Sequence, residues 1–118
     1  MSKSIINNLS EQVYNCCSQI PLGYVSTYKN IANFLNISPR VVGQTLKRNP
    51  YAPKVPCHRV IASTFFIGGF QGEWGEGKKI NLKKERLKKE GIFFDSKGYL
   101  VKDLRDKVIF KNFEKNSS

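Results

Sequence analysis

The chain is short of acids, of pairable cysteines and of long apolar runs, and each shortage removes a class of protein. Nine Asp and Glu stand against twenty Lys and Arg, a formal charge of +11 over 118 residues. Such a surface suits a polyanion. No apolar run approaches the length of a membrane span, and the first ten residues lack the apolar stretch of a secretory signal. An intracellular protein is expected. No segment combines a sustained amphipathic helix with exposed Trp or Phe, so nucleic acid is the expected partner and a membrane is not.

Cysteine is scarce too. Three is an odd number, which argues against a disulfide framework. Cys16 and Cys17 are adjacent, as are Cys57 and His58, the single histidine. Zinc ligands usually stand about two to four residues apart so that both can face one ion. Neither a metal nor a cofactor is expected. The glycines of 68–72 lack the strand before them and the Gly-Lys-Ser/Thr ending of a phosphate-binding loop. There is no internal repeat and no linker. The length suits one core, so residues 1–105 are expected to form a single domain and 106–118 a charged, frayed tail.

What remains reads as helices and turns. Ser10 is placed to cap a helix whose buried stripe is Val13, Cys16, Cys17 and Ile20, ended by Pro21 and Gly23. The two cysteines on that stripe read as small core residues. Ser26-Thr27 can cap a second helix with Tyr28, Ile31, Ala32 and Leu35 on one side. After the turn Asn36-Ile37-Ser38, Ser38 as cap and Pro39 as first residue open a third, with Val42, Thr45 and Leu46. Helix, short turn, helix is the layout of a helix-turn-helix, whose second helix approaches DNA. Arg40 lies in the first turn of that helix, where a cation costs roughly 0.3–1 kcal/mol against the helix dipole.

Pro50, Pro53 and Pro56 make 49–56 a stiff, extended connector leading to Cys57. Asn81 is placed to cap a last helix over 82–90, coated by Lys83, Lys84, Arg86, Lys88 and Lys89 and stopped by Gly91. Glu90 then sits at the helix end that disfavours its charge. Ile92-Phe93-Phe94 and Tyr99-Leu100-Val101 flank Asp95-Ser96-Lys97-Gly98 as a short hairpin. The fold class expected is mainly α, a winged helix-turn-helix-like domain with a short C-terminal hairpin.

The densest chemistry lies in Pro56-Cys57-His58-Arg59-Val60. A thiolate is a strong nucleophile, and histidine is the side chain suited to take its proton near neutral pH. Standing alone, such a pair would more often be inert packing. It stands in a wider pattern: Ile20-Pro21-Leu22-Gly23, Ser26-Thr27-Tyr28, Arg40-Val41-Val42-Gly43, Asn49-Pro50, Gly68-Gly69-Phe70 and Glu90-Gly91.

Over about residues 11–90 this pattern resembles the DNA-binding, active-site domain of the O6-alkylguanine-DNA alkyltransferases, the methylated-DNA–protein-cysteine methyltransferases. The resemblance implies that Cys57 attacks the alkyl carbon on O6 of a guanine flipped out of double-stranded DNA. The alkyl group then stays on the sulfur, so each monomer acts once. His58 matches the family's base, acting through a water, Glu90 the carboxylate that orients it, and Asn49 the asparagine that braces the turn. Arg40 matches the finger that fills the vacated stack, and Tyr28 the tyrosine beside the phosphate and the flipped base. Thr27, Gly43, Lys47 and Ser63 fall where the family meets DNA. Val60, Phe70 and Gln71 fall where it lines the base pocket.

Against the family pattern, the separate N-terminal domain is expected to be missing. Phe70 stands where many members have tyrosine, and 72–79, with the sole Trp74, is longer than the usual connection. A packing role is the reading for Trp74. Two alternatives keep the fold: an alkyltransferase-like damage sensor, which typically carries tryptophan in place of the cysteine, and a winged-helix regulator. The thiol at 57 argues against both.

Overall fold

The computed structural model describes residues 2–115, with side chains from residue 9 onward. Its elements are α1 (Ser2–Gln19), β1 (Ser26–Thr27), α2 (Tyr28–Leu35), α3 (Pro39–Lys47), a 3-10 turn (Cys57–Arg59) and β2 (Val60–Ile61). These are followed by β3 (Gly69–Phe70), β4 (Glu73–Trp74), α4 (Lys78–Lys89) and α5 (Lys102–Arg105). The expected helical domain with a helix-turn-helix forms. Among the described residues no helix is long and apolar enough to cross a membrane.

The helix-turn-helix closes through the caps its sequence offers. Thr27 Oγ1 accepts from the Asn30 amide at 2.9 Å, and Ser38 Oγ from the Val41 amide at 3.2 Å. Each gives a side-chain acceptor to an amide of the helix's first turn. Asn36 takes the left-handed conformation at φ 59°, which asparagine tolerates, and so reverses the chain between α2 and α3. The facing sides bury Ile31 and Ala32 with Val42 and Leu46, against Val13, Cys16, Cys17 and Ile20 of α1. Burying a side chain such as Ile or Leu stabilises by roughly 1.5–3 kcal/mol. This core fixes the angle at which α3 leaves the surface.

Two small sheets connect the helix-turn-helix to the rest. β1 pairs in parallel with β2, Ser26 opposite Val60 and Thr27 opposite Ile61. The residue before α2 is thereby tied to the residues just after the Cys57 turn. β3 and β4 pair antiparallel, Gly69 opposite Trp74 and Phe70 opposite Glu73. A second core of Val25, Ile61, Leu87, Ile92, Leu100 and Val108 seats α4 beneath the turn.

Four expectations are corrected. Ser10 is inside α1, which begins at Ser2, because no residue between them breaks a helix. Asn81 is inside α4, which begins at Lys78; Glu73 Oε1 accepts from the Lys79 amide at 2.6 Å, so an acid from β4 does the capping expected of Asn81. Lys83 does not coat that helix but is wholly buried. The tail is docked through residue 115 instead of frayed. The Val25 amide donates to Val108 O at 2.8 Å and the Phe110 amide to Val25 O at 2.7 Å, while Val108 and Phe113 are buried. Its apolar residues, interleaved among charges, anchor it; residues 116–118 lie outside the described residues. The expected hairpin narrows to one antiparallel bridge, Phe94 to Leu100, with Asp95 Oδ1 accepting from the Lys97 and Tyr99 amides.

Candidate active site

The proline-rich connector ends in the tight turn that carries the thiol. Asn49 braces it from both sides: its Nδ2 donates to Val55 O at 3.0 Å and its Oδ1 accepts from the Tyr51 amide at 2.9 Å. The Cys57 amide donates to Val55 O at 2.8 Å, and the Arg59 amide to Pro56 O at 2.9 Å. These bonds hold Cys57 at the wall of a cavity of about 450 Å³. Its side chain is 6% exposed, in reach of a ligand that enters and otherwise sheltered.

Behind the thiol the charged side chains pair with one another. His58 Nε2 lies 2.8 Å from Glu90 Oε2. An ionised carboxylate can only accept, so Nε2 carries the proton and Nδ1 the lone pair. Nδ1 is buried with no protein partner among the described residues. Arg59 grips the same carboxylate with two donors, Nε to Oε1 at 2.9 Å and Nη2 to Oε2 at 3.1 Å, while its Nη1 donates to Ile20 O at 2.9 Å. Burial pushes the Glu90 carboxyl up, but the hydrogen bonds from Arg59 and then His58 outweigh it and hold Glu90 below its ordinary value. For His58, burial disfavours the imidazolium more than Glu90 favours it, so its pKa is lowered. The imidazole is thus oriented, with its neutral form favoured. Glu90 at the C-cap of α4 is thereby explained, since it answers two side chains from the turn.

The other cysteines are not equipped this way. Burial raises the Cys16 thiol to about 11 and pushes Cys17 up further. Both lie in the core, as expected.

In front of the thiol, the cavity is lined by Tyr28 from α2, by Arg40, Gly43 and Lys47 from α3, and by Phe70, Gln71 and Trp74 from the β3–β4 arm. Arg40 and Lys47 are exposed on the open side. Tyr28 is held by Gly69, its hydroxyl 3.3 Å from both the carbonyl and the amide of that residue. Burial raises the phenol to about 12, which keeps it a donor. Phe70 is buried under the Arg86 guanidinium, 5.5 Å from the ring centroid. The ring makes an aromatic–cation contact there.

Three sequence assignments fall elsewhere. Val60 does not line the cavity; its side chain is fully buried in the core. Ser63 is exposed on the turn after β2, outside the cavity wall. Thr27 is 5% exposed and its oxygen caps α2, so it braces the helix-turn-helix from within.

Two residues that sequence reasoning passed over complete the site. Arg59 was visible in the motif, but its partner 31 positions away was not. Lys83 is the less expected of the two. Its Nζ donates to Val60 O at 2.7 Å, Ile67 O at 2.6 Å and Gly69 O at 2.9 Å. Three donors meet three carbonyls, tying β2 to the cavity wall. Burial lowers its pKa to about 7. The signal was its position between Ile80 and Leu87 on the buried stripe of α4.

Fold and site together define a helix-turn-helix module built around a thiol–imidazole–carboxylate cluster that opens on a basic cavity. The family model for 6-O-methylguanine DNA methyltransferase, DNA binding domain, matches residues 8–92, and the chain belongs to that family. It is 41% identical over 87 residues to the methylated-DNA–protein-cysteine methyltransferase of Archaeoglobus fulgidus, a match covering 74% of this chain and 58% of that protein. The chain spans little more than half the length of the curated relatives it matches. Among solved structures, the O6-methylguanine-DNA methyltransferase of Pyrococcus kodakaraensis is similar at a TM-score of 0.60 and 40% identity, covering 70% of this chain and 46% of that one. Schizosaccharomyces pombe Atl1, in complex with damaged DNA containing O6-carboxymethylguanine, is similar at 0.68 and 33% identity, covering 86% and 94%.

Proposed function

We propose that the chain repairs DNA directly, moving an alkyl group from O6 of a flipped-out guanine to Cys57. The observation that carries this reading is a thiol in the wall of a cavity shared with Arg40, Lys47 and Tyr28, backed by a neutral, oriented imidazole. Through one bridging water, His58 Nδ1 takes the thiol proton. The sulfur attacks the alkyl carbon, a carbon–sulfur bond forms and the carbon–O6 bond breaks. Its electron pair returns to the purine, which takes up a proton at N1 as guanine. The thioether has no route back to a thiol, so one monomer performs one transfer.

Arg40, at the leading end of α3, enters the duplex where the guanine was and offsets the few kcal/mol of unstacking. Tyr28 donates toward the extruded base. The match to nearly the whole of Atl1 supports a second reading, recognition without transfer; the nucleophile at 57 favours transfer.

The test is the intact mass after incubation with duplex DNA carrying one O6-methylguanine. One methyl on Cys57, never exceeding one per protein and absent in Cys57→Ser, is the expected result. Turnover beyond one, or a methyl on Cys16 or Cys17, overturns the reading. DNA binding with no transfer turns it into the second.

A further inference from the structure

The longer connection at 72–79 builds something specific. Gln71 and Gly72 both take positive φ, 50° and 95°, the pairing that a tight two-residue hairpin turn requires. The turn bends β4 back over the end of α3: a Cβ on Gly72 would meet Lys47 Cε at 3.6 Å. Trp74 then lies opposite Gly69 and packs closely on it: a Cβ there would stand 3.0 Å from indole Cε3 and 3.0 Å from Glu73 O. Tyr28 lies beside the indole at a centroid distance of 6.4 Å and 30° between planes, and Phe66 at 6.1 Å and 45°.

Three neighbours therefore set the ring's inner side, yet Trp74 remains 62% exposed. A tryptophan with only a packing role would be expected to bury that area. The exposed indole borders the cavity that holds Cys57, whose wall also carries the cations Arg40 and Lys47. Glu73, the acid on the same wall, is turned to the start of α4 by its bond from the Lys79 amide. A fixed aromatic face among cations is the arrangement that takes a nucleobase by stacking and its phosphate by charge.

We propose that Trp74 is a stacking platform for an unpaired nucleobase at the mouth of the Cys57 cavity. The proposal rests on the DNA reading above and adds a second aromatic contact to it. Two bases can supply this chemistry: the extruded guanine, or the cytosine left without a partner.

Trp74 is the sole tryptophan, so its emission reports the platform directly. In Cys57→Ser protein, which stops transfer, emission is followed during titration with four oligonucleotides of one sequence. These are intact duplex, duplex with one O6-methylguanine, duplex with an abasic site at that position, and single strand. Quenching by the O6-methylguanine duplex and the single strand, with little by intact duplex, is expected. Persistence with the abasic duplex assigns the platform to the cytosine, and its loss there assigns it to the guanine.

Trp74→Ala should weaken binding of the O6-methylguanine duplex and the single strand roughly five- to a hundredfold, with Trp74→Phe restoring most of it. Equal quenching by all four, an equal loss with intact duplex, or no loss at all overturns the platform. Failure of the repair reading is distinct: it is absence of a methyl on wild-type Cys57, whatever Trp74 does.

Discussion

The two sides of Cys57 are built by opposite rules. Behind it, the buried charges meet partners: Glu90 answers His58 and Arg59, and Lys83 answers three carbonyls. In front, Arg40, Lys47 and Trp74 are exposed on a surface of high positive charge. Buried ionised groups are tolerated only when paired, so the rear cannot move without large cost. Exposed cations lose little by exchanging water for phosphate, so the front is free to meet a ligand. On the proposed reading, the rear positions the chemistry and the front meets DNA. Substitutions on the two sides should then fail in different ways.

The largest effect is expected at the rear, from Lys83→Met. The substitution strands the carbonyls of Val60 and Ile67 and leaves that of Gly69 with only its bond from the Tyr28 hydroxyl, and an unsatisfied buried group costs about 1–3 kcal/mol. Relief from burying a charge offsets part of this, leaving a net loss of roughly 3 kcal/mol in denaturant unfolding. The pH dependence carries the sign. Lys83 titrates at about 7 when folded, below the ordinary lysine value, so between the two the unfolded chain holds more protons. Wild-type stability relative to Lys83→Met should therefore rise from about pH 7 toward about pH 10. A gap that narrows over that window would mean that the ammonium form is the one the fold favours.

At the front, Arg40→Ala should leave stability unchanged and weaken transfer from duplex DNA by roughly ten- to a hundredfold, the equivalent of a few kcal/mol of unstacking. Reaction with free O6-benzylguanine should scarcely change, because in the proposed role Arg40 supports an extruded base and does nothing for sulfur chemistry. Single-turnover rates on both substrates decide it. Equal losses would make Arg40 a folding residue and erase the distinction between the two sides.

The difference also governs what the sequence could disclose. The front was legible because it is local: Ser38, Pro39 and Arg40 specify a cap, a first residue and a cation within one helical turn. The thiol and its imidazole were legible as neighbours, and Glu90 only because an acid at a helix C-terminus breaks a rule that invites explanation. The Arg59 clamp and the Lys83 tether join positions far apart in the chain, and a lysine among lysines gives no sign of burial unless its place on the apolar stripe is weighed. Thr27 and Val60 were assigned outward roles that burial denies them. Glu73 capping α4 from another element was illegible for the same reason as Lys83, since caps are read from neighbouring residues.

The smallest expected effect tests whether the rear tunes the base as well as holding it. On the proposed mechanism transfer needs neutral His58, so its rate should fall on acidification with the midpoint of that imidazole. Burial lowers that midpoint more than Glu90 raises it, placing the acid limb below the ordinary histidine value of about 6.5. Glu90→Gln removes the charge that favours imidazolium, so the limb should move further to acid. The same change lowers the plateau rate, because an amide can accept from or donate to Nε2 and no longer fixes the tautomer. Single-turnover rates from about pH 5 to about pH 8 measure both. A limb above the ordinary value, or one that shifts toward neutral pH in Glu90→Gln, would show that His58 is not the titrating base. The rear would then be a scaffold with no hand in proton transfer.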